Sequence, residues 1–472
     1  MEGSPTTTEI DAPASGPADH EAGTAKLAVP VVVGTRPEAI KLVPIILALR
    51  ASAEFHPVVV STGQHHRMVS EIFGLAGIGT DVELWVGDGR APLNERVSAV
   101  MRRFDDFCRE WFGVDGSRDA TTPEVLRGRF PAGILVHGDT SSAMAAALAA
   151  FHLRIPVMHV EAGLRAGGLN LSPFPEELNR RLISKIACFH FAPTSTNQEN
   201  LIRENIPEHL VFVTGNTGID ALRWASELDA PIQDPAVAGA VAADRRIVVV
   251  TAHRRENWNG GLAGIAAAIA ALADSHPETD FVVPLHPNPL VRQRLGRRLE
   301  KLGNVLLTEP MGYATFARLL RRCHMVITDS GGIQEEAPSL GKPVLVVRDS
   351  TERTEGVEAG TLDLVGTDPD RIVEQGARLL DDPGAYDRMA EARNPYGDGK
   401  AADRIVAALN HLRTGDDPPR QFGCGYERRA ILEAAGYPGG LDPVSIPADE
   451  RDAKHDERGP AEDGAESELW PT

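Results

Sequence analysis

The run TDSGGIQEEAPSLGKPVLVVRD, Thr328 to Asp349, decides how the chain is read. An apolar strand stops at Asp329, and Ser330, Gly331 and Gly332 then open a helix whose first N–H groups have no partner inside it. Such a helix start favours an anion, and glycine lets phosphate approach a backbone that a side chain would shield. Glu336 follows one turn after Gly332 on the same face, where its carboxylate can accept from two neighbouring ribose hydroxyls. A second apolar strand, Pro343 to Val347, closes the run, so the stretch is a strand, helix, strand unit that cradles a nucleotide diphosphate. The plainer reading is an ordinary loop of small residues. Serine, paired glycines and a carboxylate at this joint spacing argue against it.

Outward from this unit the same alternation continues. Strand candidates in the first half are Val29 to Val33, Pro57 to Ser61, Gly133 to His137, Pro156 to Val160, Cys188 to Ala192 and Leu210 to Thr214. In the second half they are Arg246 to Thr251, Asp280 to Leu285, Val305 to Leu307, His324 to Thr328 and Pro343 to Val347. Helical patterns separate them, which is the signature of parallel sheets with covering helices, an α/β class. Two series imply two domains, 27–214 and 215–398, with Gly215, Asn216 and Thr217 as a hinge and a helix over 399–412 returning to brace the first. Gly113 to Pro131 is polar and reads as a surface excursion.

With 472 residues the chain exceeds what one core usually fills. Its net charge is -19, but about -11 of that falls before Leu27 and after Leu412, leaving about -8 on the rest, an ordinary solubility charge. Nucleic-acid binding is therefore not expected. Both flanks, 1–26 and 413–472, are rich in Pro, Gly, Ala and acids and read as disordered, with a short helix allowed at Tyr426 to Tyr437. No apolar run has the length of a membrane span, and the acidic N-terminus lacks the basic start and apolar core of a signal peptide, so a cytoplasmic protein is expected. The four cysteines have no metal-ligand spacing and read as structural thiols.

Groups able to do chemistry fall just after apolar strands, the edge where open parallel sheets bind ligands. In GTRPEAIK, Gly34 to Lys41, a glycine turn and Pro37 start a helix with Arg36 and Lys41 near its positive end. It lacks the G-x-G-x-x-G pattern, which weakens any mechanism built on a bound nicotinamide. HGDT, HVEAGLRAG and PFPEELNR add Asp139, Glu161 and Glu176 or Glu177, with His137, His159 and Arg165 nearby. Asp139 has a competing claim as a helix cap and Glu176 as a first-turn acid, whereas Glu161, between a strand and the Ala162–Gly163 pair, is poorly placed for a merely solvated charge. TAHRRENW puts His253, Arg254 and Arg255 at a strand end, suited to a pyrophosphate or a leaving group gaining negative charge. His286 and Asn288 in PLHPNP follow the same logic, and Phe316 precedes the serine-glycine loop, where it packs in the core or against a base.

Taken in order, GTRPEAIK, HGDT, HVEAGLR, PEELNR, GNTGIDAL, HRREN, and TDSGGIQEEAPSLGKPVLV with TER after it resemble the segments of the non-hydrolysing UDP-N-acetylglucosamine 2-epimerases over most of Leu27 to Leu412. The resemblance implies a GT-B architecture, two Rossmann-like domains facing a central cleft, a homodimer, and interconversion of UDP-GlcNAc with UDP-ManNAc without metal or redox cofactor. Carbon 2 carries no carbonyl-activated hydrogen, so the economical route is anti elimination of UDP to 2-acetamidoglucal, then re-addition with a proton on the other face. That needs a base, a second acid or base, and cations around departing UDP.

By the resemblance, Asp139, Glu161, Glu176 and His253 are catalytic. Arg36, Lys41, Arg165, Arg254, His286, Phe316, Ser330, Gly331, Gly332, Glu336 and Arg353 bind substrate. Some bacterial members bind a second UDP-GlcNAc as activator through a Gln-His motif, here Gln64 and His65, but Arg67 stands where Gln or Glu is usual. A hydrolysing relative releasing ManNAc and UDP, a catalytically silent UDP-sugar sensor and a glycosyltransferase of the same architecture are the competing functions.

Overall fold

The computed structural model describes residues 26–87, 91–114, 132–166, 171, 173–243, 245–415 and 417–423. Most of the expected excursion at Gly113 to Pro131, the expected helix at Tyr426 to Tyr437 and nearly all of both flanks lie outside these residues.

Unbroken Val and Ile runs become strands buried on both faces, as parallel strands between helix layers must be. The first sheet holds β1 (Leu27–Val33), β2 (Phe55–Ser61), β3 (Val82–Glu83), β4 (Ile134–His137), β5 (Val157–Val160), β6 (Phe189–Ala192) and β7 (Val211–Val213) in the order β3-β2-β1-β4-β5-β6-β7. The second holds β8 (Arg246–Thr251), β9 (Thr279–Pro284), β10 (Val305–Thr308), β11 (Met325–Thr328), β12 (Val344–Val346) and β13 (Leu362–Leu364) in the order β10-β9-β8-β11-β12-β13. Each pairing is parallel, with Val31 opposite Leu135 and Thr251 opposite Thr328 at the two centres. The short strands β3 and β13 lie at sheet edges and carry too few residues to register as apolar runs.

In both sheets the chain winds one way from its first strand and then crosses to the other side, so the order reverses between β1 and β4 and between β8 and β11. Adjacent helices diverge at such reversals and leave a crevice at the carboxyl ends of the strands. The loops leaving those four strands are GTRP, HGDT, TAHRR and TDSGG. Fully buried Val31, Val33, Leu42, Ile45 and Ile46 hold β1 to the helix Arg36–Ala51 that follows it. Each such side chain contributes roughly 1.5–3 kcal/mol on burial.

The helix Ala401–Thr414 packs on Arg36–Ala51, and the segment after it reaches β7, where the Phe422 N–H donates to the Val213 carbonyl at 2.7 Å. Among the described residues no helix is long and apolar enough to cross a membrane.

Candidate active site

The turn after β1 is built around Glu38. Its Oε2 accepts from the N–H of Gly34 (3.1 Å) and from the N–H and hydroxyl of Thr35 (2.7 and 2.8 Å), while Oε1 accepts from Thr140 Oγ1 at 2.8 Å. One buried carboxylate thus closes the helix start and ties the β1 turn to the β4 turn. Lys41, one turn further on, donates to Oε2 of Glu161 at the end of β5. Glu161 has a left-handed φ of 62°, and the loop after it turns at Gly163, where an added Cβ would lie 2.1 Å from the Asn197 carbonyl oxygen. Only glycine permits that approach.

Burial alone would raise the Glu161 carboxyl, but Lys41 and then His137, whose Nε2 lies 3.8 Å away, outweigh it and hold it down to about 2. Glu161 is a fixed anion. Asp139 differs: burial raises it, its ion pair with Arg180 (Nε to Oδ2, 2.8 Å) opposes, and Glu161 adds to the rise. Of the two acids at the next helix start, Glu177 is buried and accepts from Ala166 N–H, Arg180 and Arg181, each at 3.1 Å. Glu176 has no bonded partner among the described residues, so it is the carboxylate left for other work.

Across the second sheet the organiser is Asp329, which has no exposed surface. Its carboxylate accepts the backbone N–H groups of His253 (2.9 Å) and Arg254 (2.8 Å) and Asn257 Nδ2 (3.0 Å), and it lies 3.3 Å from His253 Nδ1. The His253 ring stacks on His286, centroids 5.7 Å apart and planes 10° apart. Burial lowers the imidazole's pKa while Asp329 pulls it back up. The Ser330 N–H donates to Thr328 Oγ1 (3.0 Å), and that hydroxyl pairs with Thr251 across the strand reversal (2.6 Å). A Cβ on Gly331 would sit 3.1 Å from Arg353 Cζ and 3.3 Å from Arg254 Nη2, so two guanidinium groups overhang the serine-glycine turn.

The two edges meet at Lys41. A Cβ on Gly218 would lie 3.5 Å from both Lys41 Cε and Glu336 Oε1, which places a first-sheet cation beside a second-sheet acid. Burial disfavours the Lys41 charge, yet Glu161, Glu335 and Glu336 together raise its pKa. Glu336 is pushed up to about 8 by burial, with Lys41 opposing and Glu335 and Glu161 adding. Glu335 pairs with Arg353 (2.8 Å) and accepts from Nδ2 of Asn216, which caps the helix Thr217–Glu227.

Lys41, Asp139, Glu161, Glu336, Arg353, Arg254 and His253, with Ser330, Gly331 and Gly332, therefore share one connected region. Arg36 opens the helix that carries Lys41. Arg165 does not join them: its guanidinium is held by Glu204 (2.7 and 2.8 Å), Ser184 (3.0 Å) and the Leu164 carbonyl (2.7 Å). A strand-end position said nothing of which way that side chain turns. Phe316 packs against the hydrophobic core on the helix Tyr313–Arg322. Gln64 accepts from Ser142 Oγ at 2.9 Å, and the buried Nδ1 of neighbouring His65 has no partner among the described residues.

Asp329, Arg180, Glu38 and Glu335 carry no role in the sequence reading. The Thr35, Glu38 spacing of a capping box was a usable signal, as was Arg180 one turn after two acids. Among the described residues no His, Cys, Asp and Glu cluster forms a metal site.

The protein family described as UDP-N-acetylglucosamine 2-epimerase matches residues 120–410. The UDP-N-acetylglucosamine 2-epimerase of Escherichia coli K12 is 44% identical over 395 residues, covering 81% of this chain and 98% of its own. The crystal structure of UDP-GlcNAc 2-epimerase from Neisseria meningitidis bound to UDP-GlcNAc superimposes with a TM-score of 0.67 at 40% identity, over 81% of this chain and 100% of that one. The Methanocaldococcus jannaschii enzyme in complex with UDP-GlcNAc and UDP gives a TM-score of 0.60 at 30% identity, over 82% and 100%. The two Rossmann-like sheets are those of a GT-B fold, and the chain belongs to the UDP-N-acetylglucosamine 2-epimerase family.

Proposed function

We propose that this protein interconverts UDP-GlcNAc and UDP-ManNAc by reversible elimination of UDP. The observation that carries the reading is the Lys41–Glu161 pair beside Glu336, which joins the acids of one sheet edge to the nucleotide cradle of the other. In the forward half-reaction a carboxylate takes the carbon 2 proton, the carbon 1–oxygen bond breaks, and its electron pair leaves on UDP while a carbon 1–carbon 2 double bond forms. Re-addition of UDP with a proton on the opposite face completes the epimer.

Asp139, Glu161 and Glu176 share the proton handling. Asp139, whose carboxyl burial raises, takes up a proton more readily than the fixed Glu161 anion, which serves as base or field, and Glu176, with no bonded partner among the described residues, acts on the opposite face. His253, with Nδ1 turned to Asp329, keeps Nε2 for the departing diphosphate, and Arg36, Arg254 and Arg353 supply charge there. Ser330, Gly331 and Gly332 hold phosphate, Glu336 the ribose, and His286 steadies His253. Arg165 is reassigned to fastening the loop after β5 to Glu204 and Ser184.

The test is product analysis after incubation with UDP-GlcNAc alone. UDP-ManNAc at equilibrium with UDP-GlcNAc supports the reading. Free ManNAc with UDP moves it to the hydrolysing reaction, and unreacted but bound UDP-GlcNAc moves it to a sensor.

A further inference from the structure

In the second sheet β11 lies between β8 and β12, so the loops leaving β8 and β12 flank the turn Ser330, Gly331, Gly332 that leaves β11. Arg348, just past β12, ties those two loops together. Its Nε donates to Glu256 Oε1 at 2.5 Å on the β8 side, and its Nη1 to Glu352 Oε2 at 3.0 Å on the β12 side. Arg348 is only 4% exposed, and a covered guanidinium needs such partners. Where those acids stand in the chain gives the contact a further consequence. Glu256 comes two residues after Arg254, and Glu352 immediately precedes Arg353. Arg254 and Arg353 are the two cations that overhang Gly331, one from each loop. A second tether runs beside the first, from Asn257 Nδ2 to the Val347 carbonyl at 3.2 Å. Glu352 also accepts from Arg353 Nη1 at 3.3 Å, so one acid is shared between Arg348 and a cation of the serine-glycine turn.

We infer that Arg348 is a positioning residue for the diphosphate: it sets Arg254 and Arg353 over the serine-glycine turn and keeps Glu352 from neutralising Arg353. This rests on the nucleotide reading above. Arg348 acts through the two loops and does not itself touch the ligand. A planar guanidinium engages two carboxylates at once through separate N–H groups, a geometry that the point charge of lysine does not reproduce. Without Arg348 the loops lose their shared ion pair, and Glu352 turns wholly to Arg353, where a carboxylate competes with phosphate for the same donors. The loss falls on the diphosphate and spares uridine, whose ribose contact is proposed at Glu336.

The experiment measures dissociation constants of the full chain for UDP and for uridine by ligand-observed NMR titration, in the wild type, Arg348→Met and Arg348→Lys, together with thermal unfolding of each. The expected result is a UDP dissociation constant raised about tenfold or more in Arg348→Met and by less in Arg348→Lys, with uridine held within about twofold. Adding Glu352→Gln to Arg348→Met should recover part of the UDP affinity, because the competing carboxylate is gone. If Arg348→Met does not fold, Arg348→Lys carries the same comparison. Unchanged UDP affinity, or equal weakening of UDP and uridine, overturns the inference, and a lower melting temperature with the UDP-to-uridine ratio kept assigns Arg348 to the fold alone. No recovery on adding Glu352→Gln overturns the role given to that acid. A wild-type chain that binds no UDP overturns the nucleotide reading itself, an outcome distinct from failure at Arg348.

Discussion

His253 and Asp329 are joined twice: the Asp329 carboxylate accepts the backbone N–H of His253 at 2.9 Å and lies 3.3 Å from its Nδ1. A side chain on β11's exit loop thereby fixes both the place and the tautomer of an imidazole on β8's exit loop. Asp329→Asn keeps the size but removes the charge and presents only one oxygen to several donors. We expect kcat to fall about 10- to 100-fold with a smaller change in KM, because His253 still reaches substrate but is oriented less well. The limb of kcat on which imidazolium is lost should also move to lower pH, since Asp329 is what holds the His253 pKa up against burial. Steady-state kinetics against pH checks both.

Lys41→Met tests the joint between the two edges. It leaves Glu161 buried beside Glu335 and Glu336 with less to hold its pKa down, so the acid limb of kcat/KM should move up in pH. The stability sign follows from a depressed carboxyl: the wild type gains from Glu161 above its ordinary value of 4.5 and loses that gain as pH falls toward about 2. The variant should unfold about 1–3 kcal/mol more easily at pH 7, with the gap closing in acid. Urea unfolding at several pH values measures it.

Glu336 gives the opposite sign. With its pKa raised to about 8, it must lose a proton to accept both ribose hydroxyls. Affinity for UDP-GlcNAc, whose pyrophosphate diester does not titrate there, should tighten by up to about tenfold per pH unit between about pH 6 and 8 and then level off. Glu336→Gln should bind more weakly and without that slope. A calorimetric pH series distinguishes the two profiles.

Gly331→Ala probes the space under Arg254 and Arg353. The added methyl meets the mobile ends of two side chains, 3.1 and 3.3 Å away, so stability should change by less than about 1 kcal/mol. It also occupies the place proposed for phosphate. UDP binding should weaken by about tenfold or more while the melting temperature holds.

The strands were legible because parallel strands buried on both faces are continuous apolar runs, as β1, β8 and β11 are; β3 and β13 were too short to read. Several candidate site positions follow such runs, among them Arg36, Asp139, Glu161, His253 and Ser330. Directions were not legible. Arg165 follows β5 as Glu161 does, yet it turns to Glu204; the resemblance pointed to Glu176 over Glu177, but that Arg180 and Arg181 occupy Glu177 is a matter of side-chain direction that the pattern does not carry. Lys41 and Glu161 are 120 residues apart, and no local pattern announces a pair whose members meet only when β1 and β5 join one sheet.

The central claim is proton exchange at carbon 2 coupled to departure of UDP. Proton NMR of the purified chain with UDP-GlcNAc in deuterated water tests it in one sample. UDP-ManNAc should carry deuterium at carbon 2, with deuterium also entering the remaining UDP-GlcNAc as the reaction reverses. UDP-ManNAc that keeps its carbon 2 proton would contradict elimination and re-addition, and UDP-GlcNAc that stays unchanged at saturating concentration would contradict the proposed reaction altogether.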